Sequence, residues 1–316
     1  MTVGNDERGR QAFEAAFPRP SEEMSNAVVR LPDRQLAQVL AAYRGAGRAK
    51  RVQFLIALVL LAVAIGLSAI EAEVDATTFL AKIGGFFNYF DRLMTLDSGA
   101  RVWTDPVSWF WSFKRSLRLL GETILMAYVG TLTGALAALA LNFLASPNLT
   151  GNAAVVFVTR RFLELCRTVP DVVFALIFVV AFGLGPLAGV LALAIHCTGA
   201  LGKQFFETTE NISMKPVEAL RSVGASWIET VRFAALPQVL ASFASFTLLR
   251  FEINVRGATV LGFVGAGGIG EDLMEAIRKF YYSDVSAILM LIIAVVMAID
   301  IGAGRLRRVL IGKSRA

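Results

Sequence analysis

The run from Val52 to Ile70 holds no charged residue, and nothing else in the chain narrows its fold as much. About twenty apolar residues in helical form cross the hydrocarbon core of a bilayer. Five further apolar stretches follow, at 119–144, 162–182, 187–201, 238–261 and 285–304. The sequence therefore predicts an all-α integral membrane protein with six transmembrane helices. Composition agrees: 56% of the 316 residues are hydrophobic, against about 45–50% in soluble domains.

Charge predicts the orientation. Arg44, Arg48, Lys50 and Arg51 precede the first span without an acidic residue among them, and Arg305, Arg307, Arg308, Lys313 and Arg315 close the chain in the same way. Basic residues accumulate on the cytoplasmic side of membrane spans. Both termini are thus expected in the cytoplasm, with Glu71, Glu73 and Asp75 outside. Lys114, Arg115 and Arg118, just before the second span, run against this pattern. The reading gives a cytoplasmic N-terminal region over 1–51, a first span over 52–70 and an external segment over 71–118. A transmembrane domain over 119–304 and a basic cytoplasmic tail over 305–316 follow.

In the N-terminal region Leu36, Val39, Leu40 and Tyr43 recur at helical spacing after Pro32-Asp33. They predict a short amphipathic helix near 32–44, resting on the membrane surface or carried in a solvated tail. The polar stretch before the first span is too long for the n-region of a signal peptide, so no cleavable signal is expected. The net charge of +6 lies mostly at the flanks of apolar segments, which favours membrane orientation over nucleic-acid binding. Cys166 and Cys197 fall in or near spans and imply no disulfide framework. Together with the single histidine, His196, they offer no metal-ligand spacing.

Between the fourth and fifth spans the pattern changes. Leu220, Val223, Trp227, Ile228 and Val231 recur at helical spacing and make one apolar stripe, beside the polar Glu218, Arg221, Glu229 and Arg232. Gly224 can take the left-handed conformation without a Cβ penalty. Pro237 sits where a new helix would start. These residues predict an amphipathic helix-turn-helix within an internal loop over 202–236.

Two spans carry polar residues. The fifth holds Arg250, Glu252, Asn254 and Arg256; the third is interrupted by Arg167, Thr168, Pro170 and Asp171. Ionisable groups inside a membrane segment are expensive and face a cavity or one another. Arg250 and Asn254 share one helix face, and Glu252 and Arg256 another. Two readings stand: a structural Glu252–Arg256 ion pair, or a positively biased wall in a passage for an anion. Asp171 pairs with an arginine or caps a half-helix. His196 reads as a packed, hydrogen-bonded histidine.

Gly265-Ala266-Gly267-Gly268-Ile269-Gly270 fits G-x-G-x-x-G, but a membrane span precedes it where a dinucleotide site needs a buried strand. The segment reads instead as a flexible break at the outer end of the fifth span. A short helix should follow, with Leu273, Met274, Ile277 and Phe280 on one face. Glu271 and Asp272 open it and Arg278 and Lys279 end it, as the helix dipole prefers.

The stretch around Gly224 resembles the EAA loop of ABC-importer permeases, which runs Glu-Ala-Ala, three residues, Gly, nine residues, Ile, one residue, Leu-Pro. Glu218, Ala219, Gly224, Leu236 and Pro237 match in register; Leu220 and Ala234 depart conservatively. The stretches Arg167–Asp171, Gly183–Pro186, Leu191–His196, Gly199–Lys203, Arg250–Arg256 and Val264–Gly270 extend the likeness. Over about 115–305 the chain resembles a type I ABC-importer permease of the phosphonate family, with a methionine-permease-like fold. The Gly-rich stretch is shared with methionine-type permeases.

The resemblance implies a bacterial inner-membrane, multi-pass permease paired with a second permease chain. It also implies two cytoplasmic ATPase subunits and a periplasmic phosphonate-binding protein. Such a permease binds no nucleotide or other cofactor itself and is not an enzyme. By the same resemblance Glu218, Ala219, Arg221, Gly224 and Pro237 couple to the ATPase. Arg250, Glu252, Asn254, Arg256, Asp171 and Arg167 line the pathway, and Gly265, Gly267, Gly268 and Gly270 form a periplasmic gate. Related permeases for phosphate, phosphite or methionine are the alternatives within the class. A secondary transporter should show repeated halves, and a membrane enzyme an acid–base or metal constellation; the sequence offers neither.

Overall fold

The structure, a computed structural model, describes residues 33–71 and 76–313. Expectations that fall on 1–32, on Glu73 and Asp75, on Arg315, or on the side chains of Leu36, Val39, Leu40 and Tyr43 lie outside the described residues. The chain divides between Ile83 and Gly84 into two units.

The first unit holds helix α1, Asp33–Glu71. A separate surface helix followed by a span was expected; one continuous helix of 39 residues is found. No proline interrupts it, and each interior glycine costs only about 1 kcal/mol relative to alanine. Its Lys50–Glu71 portion is long and apolar enough to cross a membrane. Helix α2, Ala76–Leu93, begins in this unit and ends in the second.

The second unit opens with a tight turn after α2. Arg101 Nη1 bonds Asp91 Oδ1 at 2.7 Å and Val102 is buried. Helix α3, Pro106–Trp109, is capped by Asp105. Helix α4, Phe113–Ala145, starts six residues before the expected Leu119. Helices α5, Ala153–Thr168, and α6, Asp171–Phe182, replace the expected third span and much of the loop at 145–161. They meet at an angle of 85°. Pro170 has no amide to donate and pushes Val169 into an extended conformation, φ −76 and ψ 124, which a helix cannot contain.

Helix α7, Pro186–Glu210, leads to α8, Met214–Ser222, and α9, Trp227–Thr230. A π-helical turn, Val231–Ala235, joins α9 to α10, Leu236–Leu261. A 3₁₀ turn, Gly262–Val264, precedes α11, Ile269–Arg278, and α12, Tyr282–Lys313, follows. Among the described residues five helices are long and apolar enough to span a bilayer, or six if the bent α5–α6 pair is one span.

The second unit packs in three layers along α4. Phe143, Ala138 and Ala135 meet Leu201, Phe205 and Phe243 in the first. Ala127 meets Ala192, Leu193, Val255 and Ala258 in the second. Leu120 meets Ile269, Leu273, Val285 and Ile288 in the third. Small residues set the spacing. A Cβ at Gly130 would stand 2.8 Å from Leu193 Cβ, and one at Gly134 2.7 Å from Cys197 Cβ, so α4 and α7 touch almost backbone to backbone. Gly121 takes no part in this contact and faces open space.

Within the second unit the stretch over 105–118 is held in place by side-chain bonds. Trp109 Nε1 donates to Ser286 Oγ at 2.9 Å and Trp111 Nε1 to Asp284 Oδ1 at 2.8 Å, which ties it to α12. Arg115, one of the basic residues against the charge pattern, pairs with Asp272 at 2.6 Å and with Glu275 at 3.5 Å. Its charge is met locally, so it says little about sidedness.

Candidate functional site: a clamped turn, a polar helix and a glycine bend

Helix α10 runs 26 residues, about 39 Å at 1.5 Å per residue, and the candidate site follows its length. At its N-terminal end α8 and α9 are two short helices turned at Gly224, as the spacing predicts. Gly224 has φ +83, and no atom lies within 4 Å of where a Cβ would stand. Ser226 and Glu229 form a reciprocal capping box at the start of α9. The Ser226 hydroxyl and then its amide hold the exposed Glu229 carboxyl below its ordinary range.

The expected apolar stripe does not pack as one face. Leu220 and Val231 lie against the core, but Val223 and Ile228 are 79% and 70% exposed. The fully buried anchor of α8 is Val217. It sits one turn before Leu220 and shares its face, although the stripe did not include it. Glu218 and Ala219 point outward and are exposed. Arg221 does not project with Glu218 as a free group. Its Nη2 donates to the carbonyls of Leu149 at 3.1 Å and Asn148 at 3.3 Å.

The other end of α8 is held by Gln238, which sequence reasoning missed. Gln238 Oε1 accepts from the Ser213 amide at 3.0 Å. Its Nε2 donates to the carbonyls of Ser213 at 3.2 Å and Ala234 at 2.7 Å. A polar residue directly after Leu236-Pro237, at the head of an apolar span, was the available signal. Pro237 sits in the first turn of α10, as expected, with no gap before it. The Leu236 amide reaches back five residues to the Val231 carbonyl, and this wider turn carries the chain past a proline without breaking the helix.

Halfway along α10 the polar residues sort by partner. Arg256 donates to Glu252 Oε1 at 2.5 Å, so the expected ion pair forms; the Arg256 side chain stays 55% exposed. Asn254 Nδ2 donates to Thr131 Oγ1 on α4 at 2.8 Å. Arg250 Nη2 stands 2.6 Å from His196 Nδ1 on α7, and Arg250 Nε is buried with no partner among the described residues. Asp171 accepts from the neighbouring Val172 amide at 2.9 Å, but the N-cap of α6 is Pro170 and no side chain caps it; Arg167 is exposed at the break. Cys166 and Cys197 are buried free thiols.

At the C-terminal end of α10 the glycine segment bends but is not a loose break. Residues 266–270 are all buried. Gly265, Gly267 and Gly268 have φ of +85, +82 and +77. A Cβ at Gly268 would meet Thr123 Oγ1 at 2.4 Å, and one at Gly270 the Thr259 carbonyl at 1.8 Å. The Ile269 amide bonds Thr123 Oγ1 at 2.9 Å, and the Gly185 amide bonds the Gly265 carbonyl at 3.0 Å. Glycine here serves close packing as much as bending. On α11 Ile269, Leu273 and Ala276 are buried, while Ile277 and Phe280 of the expected apolar face are exposed. Burial pushes the Asp272 carboxyl up, and Arg115 opposes it.

A fold of this shape, with an exposed clamped turn between apolar helices, invites comparison with known transporters. The model of the family described as "Binding-protein-dependent transport system inner membrane component" matches residues 130–313, more than half of the chain. The chain belongs to this family. As a member it is a permease subunit of an inner-membrane transport system.

Over 235 residues it is 38% identical to the phosphite transport system permease protein PtxC of Stutzerimonas stutzeri, covering 74% of this chain and 81% of that one. Over 195 residues it is 42% identical to the phosphate-import permease protein PhnE of Mycolicibacterium smegmatis. That alignment covers 62% of this chain and 37% of the relative, so the chain spans well under half of that protein's length. It is 48% identical over 119 residues to the putative cryptic phosphonate transport system permease protein PhnE2 of Escherichia coli, covering 38% of this chain and 98% of that one. The solved MetNI methionine ABC transporter, in an inward facing conformation, shares the fold. The TM-score is 0.54 at 20% identity, over 65% of this chain and 98% of that chain. The expected likeness to type I importer permeases is thus present in both sequence and fold.

Proposed function

We propose that this chain is the permease subunit of an ABC importer for a phosphorus oxyanion, a phosphonate or phosphite. It works in the bacterial inner membrane with both termini in the cytoplasm, paired with a second copy of itself. Two cytoplasmic ATPase subunits drive it, and a periplasmic binding protein delivers the substrate. It holds no cofactor of its own. The observation that carries the reading is the clamped turn of a family member: α8 is fixed by Arg221 and Gln238 while Glu218 and Ala219 face outward. A short helix held at both ends moves with the bundle, and its free face is where an ATPase can grip by charge-assisted hydrogen bonds. The relatives' names supply the substrate class.

Glu218→Lys should reduce co-purification of the ATPase subunits while the permease still inserts. Uptake is measured in cells stripped of their own phosphorus-oxyanion importers and given this permease with its ATPase and binding protein. Phosphonate or phosphite should enter. Methionine entering in their place would overturn the substrate class, and an unchanged E218K complex would overturn the coupling role. A cysteine at Ser98 should label with an impermeant thiol reagent in intact cells, and one at Ser213 should not; the reverse pattern would invert the topology.

A further inference from the structure

We propose that His196 is a positioning residue for Arg250. It is a neutral imidazole that accepts a guanidinium hydrogen and so turns the remaining donors of Arg250 toward a passing oxyanion. The inference rests on the phosphorus-oxyanion reading above.

The chemistry of the contact fixes the proton. Arg250 Nη2 lies 2.6 Å from His196 Nδ1. A guanidinium offers only donors and keeps its charge. Nδ1 must therefore be the acceptor, and the ring carries its proton on Nε2. The charged groups that face the ring are Arg250 from α10 and Asp171 from α6, and the backbone of Arg167 at the α5–α6 break faces it as well. The break in the third span thus has a partner: it brings a backbone segment and a carboxylate to the histidine.

The guanidinium is under-used. It has five N–H donors, and its buried Nε has no partner among the described residues. Asn254 is already committed to Thr131, and the Cys197 thiol beside Arg250 is a weak acceptor. An unmet buried donor within a span is costly. The oxygens of a phosphonate or phosphite suit the arginine fork. Protonating His196 would place an N–H and a positive charge against the guanidinium, donor to donor, and the orientation would be lost.

Two variants of the complete transporter test this, with permease, ATPase and binding protein together. His196→Asn keeps an acceptor close to the Nδ1 position but cannot titrate; His196→Leu removes the acceptor. Initial phosphite uptake is measured at about pH 8, where an ordinary histidine is neutral. Folded complex is quantified in detergent for each variant. H196N should stay near the wild-type rate, and H196L should fall about tenfold, the cost of a misplaced buried donor. H196N uptake as low as that of H196L would overturn the proposal, as would wild-type uptake by H196L. A wild-type complex that carries no phosphorus oxyanion would instead defeat the functional reading beneath it.

Discussion

At the N-terminal end of α10 the chain turns at Gly224, φ +83, with no atom within 4 Å of where a Cβ would stand. At the C-terminal end it turns at Gly268, φ +77, where a Cβ would lie 2.4 Å from Thr123 Oγ1, and Gly270 leaves only 1.8 Å to the Thr259 carbonyl. Both regions need glycine for backbone sign, but only the second also needs the missing side chain. The first turn is held by a few polar clamps on an open surface, and the second is locked among buried neighbours. In one molecule the same residue type thus serves a surface built to be gripped and a bend built to stay put.

Gly270→Ala should show the largest effect. The new methyl would collide with backbone rather than with a movable side-chain tip, so α10 and α11 would have to part. Overpacking of a tight core costs about 1–3 kcal/mol or more, and this contact lies at the severe end. Little monodisperse permease should survive detergent extraction. Wild-type yield would mean that the bend is looser than its contacts imply.

Gly224→Val comes next. A side chain in the left-handed region costs about 1–2 kcal/mol, but the open surroundings add no collision. The variant should insert and purify while ATP hydrolysis no longer drives uptake, because the direction of α8 changes. Yield and uptake measured on the same membranes separate the two effects. If G224V loses folded protein as severely as G270A, the contrast between the turns does not hold.

Arg115→Ala should be the smallest. The Asp272 side chain is only 11% exposed, burial pushes its carboxyl up, and Arg115 pulls it back. Without Arg115 the folded-state value rises further. An acid raised in the folded state adds stability below its unfolded value, and that stability is lost as pH climbs through the raised value. R115A should therefore unfold more readily at neutral pH than the wild type and recover under mild acid. The Arg115 side chain is 60% exposed, so the loss should stay below about 1 kcal/mol. Thermal unfolding at two pH values reads it. A flat difference would remove Asp272 as the titrating group and sharpen the contrast toward packing alone.

The sequence by itself determined that the chain is helical and membrane-embedded, where its apolar runs lie, and that Gly224 and the 265–270 segment turn. Those features are local. An uncharged run of about twenty residues has few homes besides a bilayer, and a positive φ asks for glycine wherever it occurs. The Glu252–Arg256 pair was legible for the same reason, being one helical turn apart. The Ser226–Glu229 capping box was equally local and available in the sequence.

Tertiary structure alone decided which faces are used. Val217 rather than Val223 or Ile228 anchors α8, because the loop at 148–149 and Gln238 fix how that short helix is rotated. Arg250 finds His196 54 positions away, Asn254 finds Thr131 123 away, and Arg115 finds Asp272. In spans that are apolar nearly all round, periodicity does not say which side faces a neighbour. The close approach of α4 and α7 at Gly130 and Gly134 helps set that rotation, and through it the partner of each polar group.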